Sequence, residues 1–411
     1  MSTDIYLPCL VHIINSSLST GIFPNALKIA NILPLFKSGK SSLFSNYRPI
    51  SLLTSVSKVF EKVFYIRLYQ FLMKYNILYI FQFGFRRNHS TSLALLVLLD
   101  KIINSLENNE FAIGVFLDFS KAFDTVNHDI LLQKLNFYGV RGIPLQWINS
   151  YLTDRQQFTT FNGVSSDKQT ITCGVPQGSI LGPLLFLIYV NDLAYVSNSM
   201  FTLMFADDTS CFITGKDMDV LVNTLNRELR EMVVWLKANK LSLNIDKTHY
   251  MFFSSFKRKK PFTNIDVFVE STAIAKVTNC KFLGVILDEN LSWRQHIDYT
   301  KKKISKVIGI LYRARPRLSS QHLVKLYNAL ILPYFYYCNF IWASANRSTL
   351  DTLVKTQKQA VRCISNISKR TSTGVYFTKL SVLLLLCLLF LQIWRAFILH
   401  EHTKTTVYTP K

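Results

Sequence analysis

The sequence predicts an α+β fold, and three observations predict it. In some segments apolar residues recur at three- and four-residue steps, as on one face of a helix. Others are short apolar runs, partly β-branched, that stop at turn-forming residues, as strands do. The two kinds are mixed without a regular β-α-β alternation, so a doubly wound parallel sheet is not expected.

Taken in chain order, Met1–Leu10 carries Asp4 and lacks the basic start of a secretory leader. Ser92–Leu106 reads as an apolar helix. Phe111–Leu117 is an apolar strand that stops at Asp118. Phe201–Phe205, the turn Ala206-Asp207-Asp208 and Thr209–Ile213 read as strand, tight turn, strand. Leu221, Leu225, Leu229, Met232 and Leu236, with Arg227, Glu228, Arg230 and Glu231 between them, make an amphipathic helix. Lys257–Pro261 is a basic run, either a nuclear-localisation patch or a solvated loop. Phe282–Leu287, Asp288–Asn290 and Leu291–Trp293 read as a second hairpin. The pattern then turns helical and basic, which places a domain boundary near residue 290. Leu380–Trp394 has only Ser381 and Gln392 as polar members. A spanning helix needs about 20 apolar residues, and Arg395 closes this run early. A buried helix is the main reading, and a single C-terminal membrane or interfacial segment is the alternative.

The chain has 411 residues, enough for two to three domains, and is 49% hydrophobic, enough for a large core. Its 14 Gly and 11 Pro exclude collagen and most low-complexity disorder. Lys and Arg number 47 against 25 Asp and Glu, a net charge of +22, with a pI near 9.7. A polyanion is therefore the natural partner, either nucleic acid or an anionic membrane surface. Residues 295–411 hold 18 Lys or Arg and only Asp298, Asp351 and Glu401 as acids. Such clustered cations gain affinity for a polyphosphate by releasing its condensed counterions; a solvated basic surface is the plainer alternative. The seven cysteines are scattered, odd in number and without a CxxC pair. No disulfide partner or zinc knuckle is expected, and a reducing intracellular compartment, nuclear or cytoplasmic, fits.

Acidic residues are scarce, so their placement is informative. Asp118 ends one apolar strand, and Asp207 and Asp208 form the turn of an apolar hairpin. A basic protein has little structural reason to put three carboxylates at buried strand ends, although an Asp-rich hairpin turn is the plain alternative. Aimed at a common edge they repel, and one takes up a proton. A hard divalent cation resolves this, because Mg²⁺ accepts one or two carboxylates and keeps positions open for phosphate oxygens. Two such ions about 4 Å apart serve in-line displacement at phosphorus.

Three motifs in succession carry a resemblance: Phe116-Leu-Asp-Phe-Ser-Lys-Ala-Phe-Asp-Thr-Val-Asn-His128, Gly174-Val-Pro-Gln-Gly-Ser-Ile-Leu-Gly-Pro183 and Phe205-Ala-Asp-Asp208. They resemble the polymerase motifs of reverse transcriptases of the non-LTR (LINE-type), jockey-like retrotransposons. Ile32–Lys37, Asn46–Ser51 and Gln82–Arg86 resemble that family's fingers segments, and Asn239–Thr248 and Lys281–Gly284 its later palm motifs. The resemblance covers roughly residues 10 to 370.

The resemblance implies a right-hand polymerase fold: fingers, a palm with an antiparallel sheet and a helical thumb. It implies RNA-directed DNA polymerase activity, with an RNA template, a DNA primer and dNTPs as partners and two Mg²⁺ ions, or Mn²⁺, as cofactors. Asp118, Asp207 and Asp208 then hold the metals, with the backbone carbonyl of Phe119. Lys37 and Arg48 meet the triphosphate, with Lys40 as another candidate for the first. Gln177 and Gly178 meet the nucleotide, and Phe123 is the steric gate against a ribose 2′-hydroxyl, or an ordinary core aromatic. Lys247 sits near the pyrophosphate, as a catalytic acid or as a solvated lysine. Lys301, Lys302, Lys303, Arg313, Arg315 and Arg317 track the primer–template backbone. Tyr334–Tyr337 stack on bases, or form a buried cluster.

The implied layout is a helical extension over 1–17, fingers and palm over 18–290, a thumb-like region over 291–370 and an apolar, basic tail over 371–411. Full-length elements of this kind carry an upstream endonuclease, and none is expected here, so the chain reads as a fragment, a degenerate copy or a stand-alone module. Two other function classes stay open: a nucleic-acid-binding remnant without turnover, and a membrane-associated basic protein supported only by Leu380–Trp394.

Overall fold

The computed structural model describes residues 3–161, 163–253 and 265–389. The basic run Lys257–Pro261 and residues 390–394 of the apolar run lie outside them. The described chain forms two compact units. One holds the residues up to Ser90, Ile113–Tyr250 and those from Ile265 to Lys276; the other holds Thr91–Ala112, Met251–Phe253 and those from Val277 onward.

In the first unit, the helix Ser55–Lys74 starts where Thr54 accepts a hydrogen bond from the Ser57 amide. It buries Phe60, Phe64, Leu68 and Leu72 at steps of four. Phe64 stacks on Trp147 of the helix Ile143–Leu152, with ring centroids 4.1 Å apart and planes 6° from parallel. A first sheet places Ile29–Phe36 between Tyr47–Leu52, antiparallel to it, and Arg155–Phe161, parallel to it. Its register pairs Leu33 with Ile50 and Leu35 with Arg48, so these four side chains share one face. That face continues to Lys37, two residues beyond Leu35.

A second sheet runs in the order Ala275–Lys276, His249–Phe253, Phe111–Leu117, Asp208–Gly215, Phe201–Phe205. Phe111–Leu117 lies at its centre and is buried from Ala112 to Leu117, which is why it reads as an unbroken apolar run. The last two strands form the expected antiparallel hairpin, closed by Phe205 paired with Asp208. The sheet is not antiparallel throughout, since Ala275–Lys276 runs parallel to His249–Tyr250. The expected helices are Thr91–Glu107 and Met218–Ala238; the Asp217 carboxylate caps the second through the Val220 amide.

The second hairpin differs from the expectation. Its strands are Asn279–Phe282 and Val285–Asp288, and it turns at Leu283-Gly284, both at positive φ, as a two-residue hairpin turn requires. Leu291–Trp293 is not a strand. The Asp288 carboxylate accepts hydrogen bonds from the amides of Asn290, Ser292 and Trp293. Leu291 and Trp293 are left-handed, so that carboxylate folds the segment into a cap rather than an extended chain.

The rest of the second unit is helical. Arg294–Ala314 buries Ile297, Ile304, Ile308 and Leu311 on one face. Arg347–Ile364 packs on it and buries Leu353, Val354 and Val361. Of the apolar C-terminal run, Val382, Leu385, Leu388 and Leu389 are buried. Gln357 holds its start, accepting from the Leu385 amide and donating to the Leu383 carbonyl. Among the described residues no helix is long and apolar enough to cross a membrane.

One buried side chain in this unit ties stability to pH. His296 is 4% exposed, and its Nδ1 accepts from the Ile286 amide at 3.3 Å. Burial first, then the Lys281 charge, pulls it from its ordinary 6.5 down to about 4. Between those values the unfolded chain binds the proton and the folded chain does not, so stability falls as pH drops from 6.5 to 4. The loss from this group reaches about 3 kcal/mol. Urea midpoints measured across that window should fall less steeply in His296→Asn, whose Oδ1 can accept the same hydrogen bond without titrating.

Candidate active site

Asp118 stands at the end of the central strand, half-exposed. The segment after the helix Met218–Ala238 runs beside it. Phe119 pairs with Leu243, the Asp118 carbonyl accepts from the Asn244 amide at 2.8 Å, and the Ser120 amide donates to the Ser242 carbonyl at 2.8 Å. This pairing carries Lys247 to Asp118, with Nζ 3.9 Å from Oδ2.

Asp207 and Asp208 sit at the neighbouring hairpin turn. Their side chains reach solvent, but the turn itself is braced from behind by Gln82-Phe83-Gly84. Gln82 is 1% exposed, and its Oε1 accepts from the amides of Gly84 and Ala206 at 2.8 and 3.0 Å. The Phe83 amide donates to the Met204 carbonyl and the Met204 amide to the Phe81 carbonyl. Ala206 is left-handed, at φ 59°, which costs a residue with a β-carbon energy that its surroundings must supply. Gly84 lies so close that a β-carbon on it would stand 2.2 Å from the Ala206 nitrogen.

The site's electrostatics show which charges meet. Partial desolvation at the turn raises the Asp207 pKa; Asp118 raises it further, while Arg48 and Lys37 lower it. Asp208 is pushed up to about 6, first by desolvation, then by Asp207 and Asp118, with Lys37 opposing. Three carboxylates from two strand ends, two cations from the first sheet and Lys247 thus share one field. Of the two candidate lysines, Lys37 is the one within electrostatic reach of both aspartates. Carboxylates that raise one another's pKa gain from a divalent cation, which replaces the proton each would otherwise take. Among the described residues, no group of three or more His, Cys, Asp and Glu is drawn tightly enough to hold an ion alone. The donor set fits a hard divalent cation that takes few carboxylates and fills its shell with water, carbonyl and phosphate oxygens.

A loop at 174–179 borders the site and is tied on every side. The Gly174 and Val175 amides donate to the carbonyls of Val126 and Phe123. His128 Nε2 meets the Gly174 carbonyl at 2.8 Å. The Ser51 amide donates to the Gln177 carbonyl at 2.7 Å. Gly178 has φ +116°, and a β-carbon there would lie 2.8 Å from the Ser51 carbonyl oxygen; only glycine fits. Beyond the loop, Glu61 is fully buried and accepts from the Ile180 and Leu181 amides at 2.6 and 3.2 Å, the start of the helix Leu181–Val190. Burial raises the Glu61 pKa, and those amides pull it back. The half-exposed Phe123 ring stacks on Phe186 at 4.4 Å and meets Phe85 edge-on at 6.2 Å.

In the helical unit, Lys301, Lys302, Arg313 and Arg317 are exposed. Lys302, Lys306 and Arg313 lie along one stripe of Arg294–Ala314, away from its buried face. Lys303 and Arg315 rest over the rings of Tyr299 and Tyr312. Of the Tyr334–Tyr337 run only Phe335 is buried; Tyr337 donates to the Leu283 carbonyl at 2.6 Å.

Sequence reasoning missed Glu61, and it placed Gln82 and Gly84 within a fingers segment without giving either a role. Glu61 did carry a signal: a lone carboxylate between Phe60 and Phe64 on an apolar helix face. Gln82 and Gly84 carried none beyond their motif, because their work is done across 120 residues of chain.

The reverse transcriptase (RNA-dependent DNA polymerase) family model matches residues 37–287. The RNA-directed DNA polymerase from mobile element jockey of Drosophila funebris is 31% identical over 87% of this chain and 40% of its own. The probable RNA-directed DNA polymerase from transposon BS of Drosophila melanogaster is 30% identical over the same shares. The chain thus spans about 40% of the length of the curated relatives it matches. Among solved structures, apo telomerase from Candida tropicalis, truncated from its C-terminal domain, is similar over 67% of this chain and 59% of that one, at TM-score 0.45 and 13% identity. With the family model covering more than half of it, the chain belongs to the reverse transcriptase family, whose right-hand fold its mixed sheets and helices match.

Proposed function

We propose that this chain is the polymerase module of a non-LTR retrotransposon and synthesises DNA on an RNA template. The observation that carries the reading is the shared field of Asp118, Asp207 and Asp208 with Lys37 and Arg48. It is the arrangement that nucleotidyl transfer needs, fixed cations for a triphosphate beside carboxylates for divalent ions.

In the proposed reaction the primer 3′-hydroxyl attacks the α-phosphorus of a dNTP. The new bond is O3′–Pα, the Pα–O bond to the β-phosphate breaks, pyrophosphate leaves with the electron pair, and the hydroxyl proton passes to solvent water. Asp118 and Asp207 would hold a pair of Mg²⁺ ions, or Mn²⁺, with Asp208 and the Phe119 carbonyl available to complete the set. When bound, such ions favour the attacking alkoxide and offset charge on the phosphates. Arg48 and Lys37, on one face of the first sheet, neutralise the triphosphate. Lys247, paired with Asp118 before substrate arrives, turns to the pyrophosphate as charge develops there. Gln177 and Gly178 border the new base pair, and the Phe123 ring occupies the space a ribose 2′-hydroxyl would need. Lys301, Lys302, Lys303, Arg313, Arg315 and Arg317 take primer–template phosphates, contacts that position a duplex without reading its sequence.

Three outcomes test this. The chain extends an oligo(dT) primer on poly(rA) with dTTP and Mg²⁺, and Asp207→Asn lowers the rate at least ~100-fold, some 2.7 kcal/mol of barrier; a variant with near-normal rate would remove the metal-ligand assignment. Gly84→Ala forces backbone against backbone behind the aspartate turn, so it should cost roughly tenfold or more in kcat while primer–template affinity changes little. Phe123→Ala should raise incorporation of ribonucleotides relative to deoxynucleotides by about tenfold or more; an unchanged ratio in competition assays would return Phe123 to the core.

A further inference from the structure

The first unit holds a pocket of about 240 Å³ that the proposed reaction does not use. Phe64, Arg67, Leu68 and Phe71 form one wall, at the three- and four-residue steps that put them on one face of the helix Ser55–Lys74. Leu18 of the helix Thr3–Thr20, the turn Gly139–Arg141 after the helix His128–Phe137, and Pro144 complete the lining. The turn is fixed. Its Gly139 and Val140 amides donate to the Asn136 and Leu135 carbonyls at 3.1 and 2.9 Å, and a β-carbon on Gly139 would meet the Phe71 ring at 3.4 Å. The wall is fixed too, since Phe64 stacks on Trp147. The pocket is therefore preformed, as binding sites usually are.

Its floor is apolar and its mouth is basic. Leu68 and Val140 are only 5% and 6% exposed, whereas Arg67 and Arg141 reach solvent. Apart from those two arginines, no lining side chain can form a hydrogen bond. No acidic residue lines the pocket, and among the described residues neither arginine pairs with a carboxylate. Phe137 and Ile143, on either side of the lining turn, are exposed, so apolar surface continues beside it.

We infer that this pocket docks an acidic peptide segment of a partner protein, which places one phenylalanine side chain in the cavity and sets neighbouring carboxylates on Arg67 and Arg141. The volume falls short of the roughly 300–1,000 Å³ of small-molecule sites, and suits one aromatic side chain, the common anchor of a protein interface. A nucleobase has the right size but the wrong edges, since its polar groups would be buried here without partners. A phenyl ring has no such groups. The free guanidiniums supply the complementary half, because Arg grips carboxylates in a bidentate fashion and is enriched at interfaces. The inference stands apart from the polymerase reading, none of whose residues line the pocket.

The test is calorimetric titration of the chain with the capped peptide Ac-Glu-Glu-Phe-Glu-Glu-NH2. Saturable binding is expected, with a Kd of about 1 mM or tighter; its absence overturns the inference. Replacing the peptide's phenylalanine by alanine should weaken binding roughly tenfold or more. Equal binding of the two peptides would mean charge attraction alone and overturns it, with no variant of the chain required. Arg67→Glu with Arg141→Glu should weaken the phenylalanine peptide by about tenfold or more, at an unchanged melting temperature. Arg230→Glu with Lys216→Glu makes the same charge change at exposed positions elsewhere in the unit, and should weaken it no more than about twofold. Equal losses in the two pairs overturn the inference. So does a comparable loss of oligo(rA) affinity confined to the Arg67 and Arg141 pair, which would make this a nucleic-acid surface instead.

Discussion

Like charges are brought together at one end of a sheet, and that repulsion shapes the candidate site. Asp118 and the Asp207-Asp208 turn end neighbouring strands of one sheet. Asp208 is pushed up to about 6 by desolvation first and then by the neighbouring Asp207 and Asp118 charges. A fold that tolerates this has to resist relaxation at the turn and place cations close by without quenching the carboxylates. The first demand falls on Gln82 and Gly84, which pin Ala206 in its left-handed state. The second falls on Arg48 and Lys37, which come from a different sheet and act across space rather than through hydrogen bonds. Among the described residues only Lys247 makes a direct pair with one of the carboxylates, and at 3.9 Å with both partners well exposed that pair is weak.

Much of this was legible in the sequence because the site is written in strand ends. Phe111–Leu117 stops at Asp118, and the apolar runs on either side of Ala206-Asp207-Asp208 could fold only as a hairpin. The strand boundaries of the second hairpin were not legible. Apolar Leu291 and Trp293 have strand propensity, yet the Asp288 carboxylate outbids it with three backbone hydrogen bonds. Propensity is a weak prior of about 1 kcal/mol, and satisfying three amides exceeds it. The parallel Ala275–Lys276 edge is equally silent in sequence, because two residues carry no period.

The residues that sequence reasoning left without a role share a feature: each acts on a backbone. Gln82 bonds two amides, Glu61 bonds two amides, and Gly84 serves by having no side chain at all. Motif reading assigns chemistry to side chains that could touch substrate, so groups that hold the frame are passed over. Glu61 illustrates the energetic side. A buried carboxylate is costly alone, but two donated amides at a helix start supply what water did. Removing it would leave two buried amides unpaired behind the loop that carries Gln177.

This explains why the site can be rigid and still sit at an open edge. The groups proposed to face substrate are exposed or half-exposed: Lys37, Arg48, Asp118, Phe123, Gln177 and the aspartate pair. Their support lies one layer back and is buried: Gln82, Ser51, Glu61 and the helix Leu181–Val190. Charged groups thereby stay in contact with water, while their backbone positions are set by atoms that water does not reach. Had the support been polar and exposed, solvent would compete for each amide and the two strand ends would drift apart under their own repulsion. Burying the frame rather than the charges lets one sheet edge hold three carboxylates.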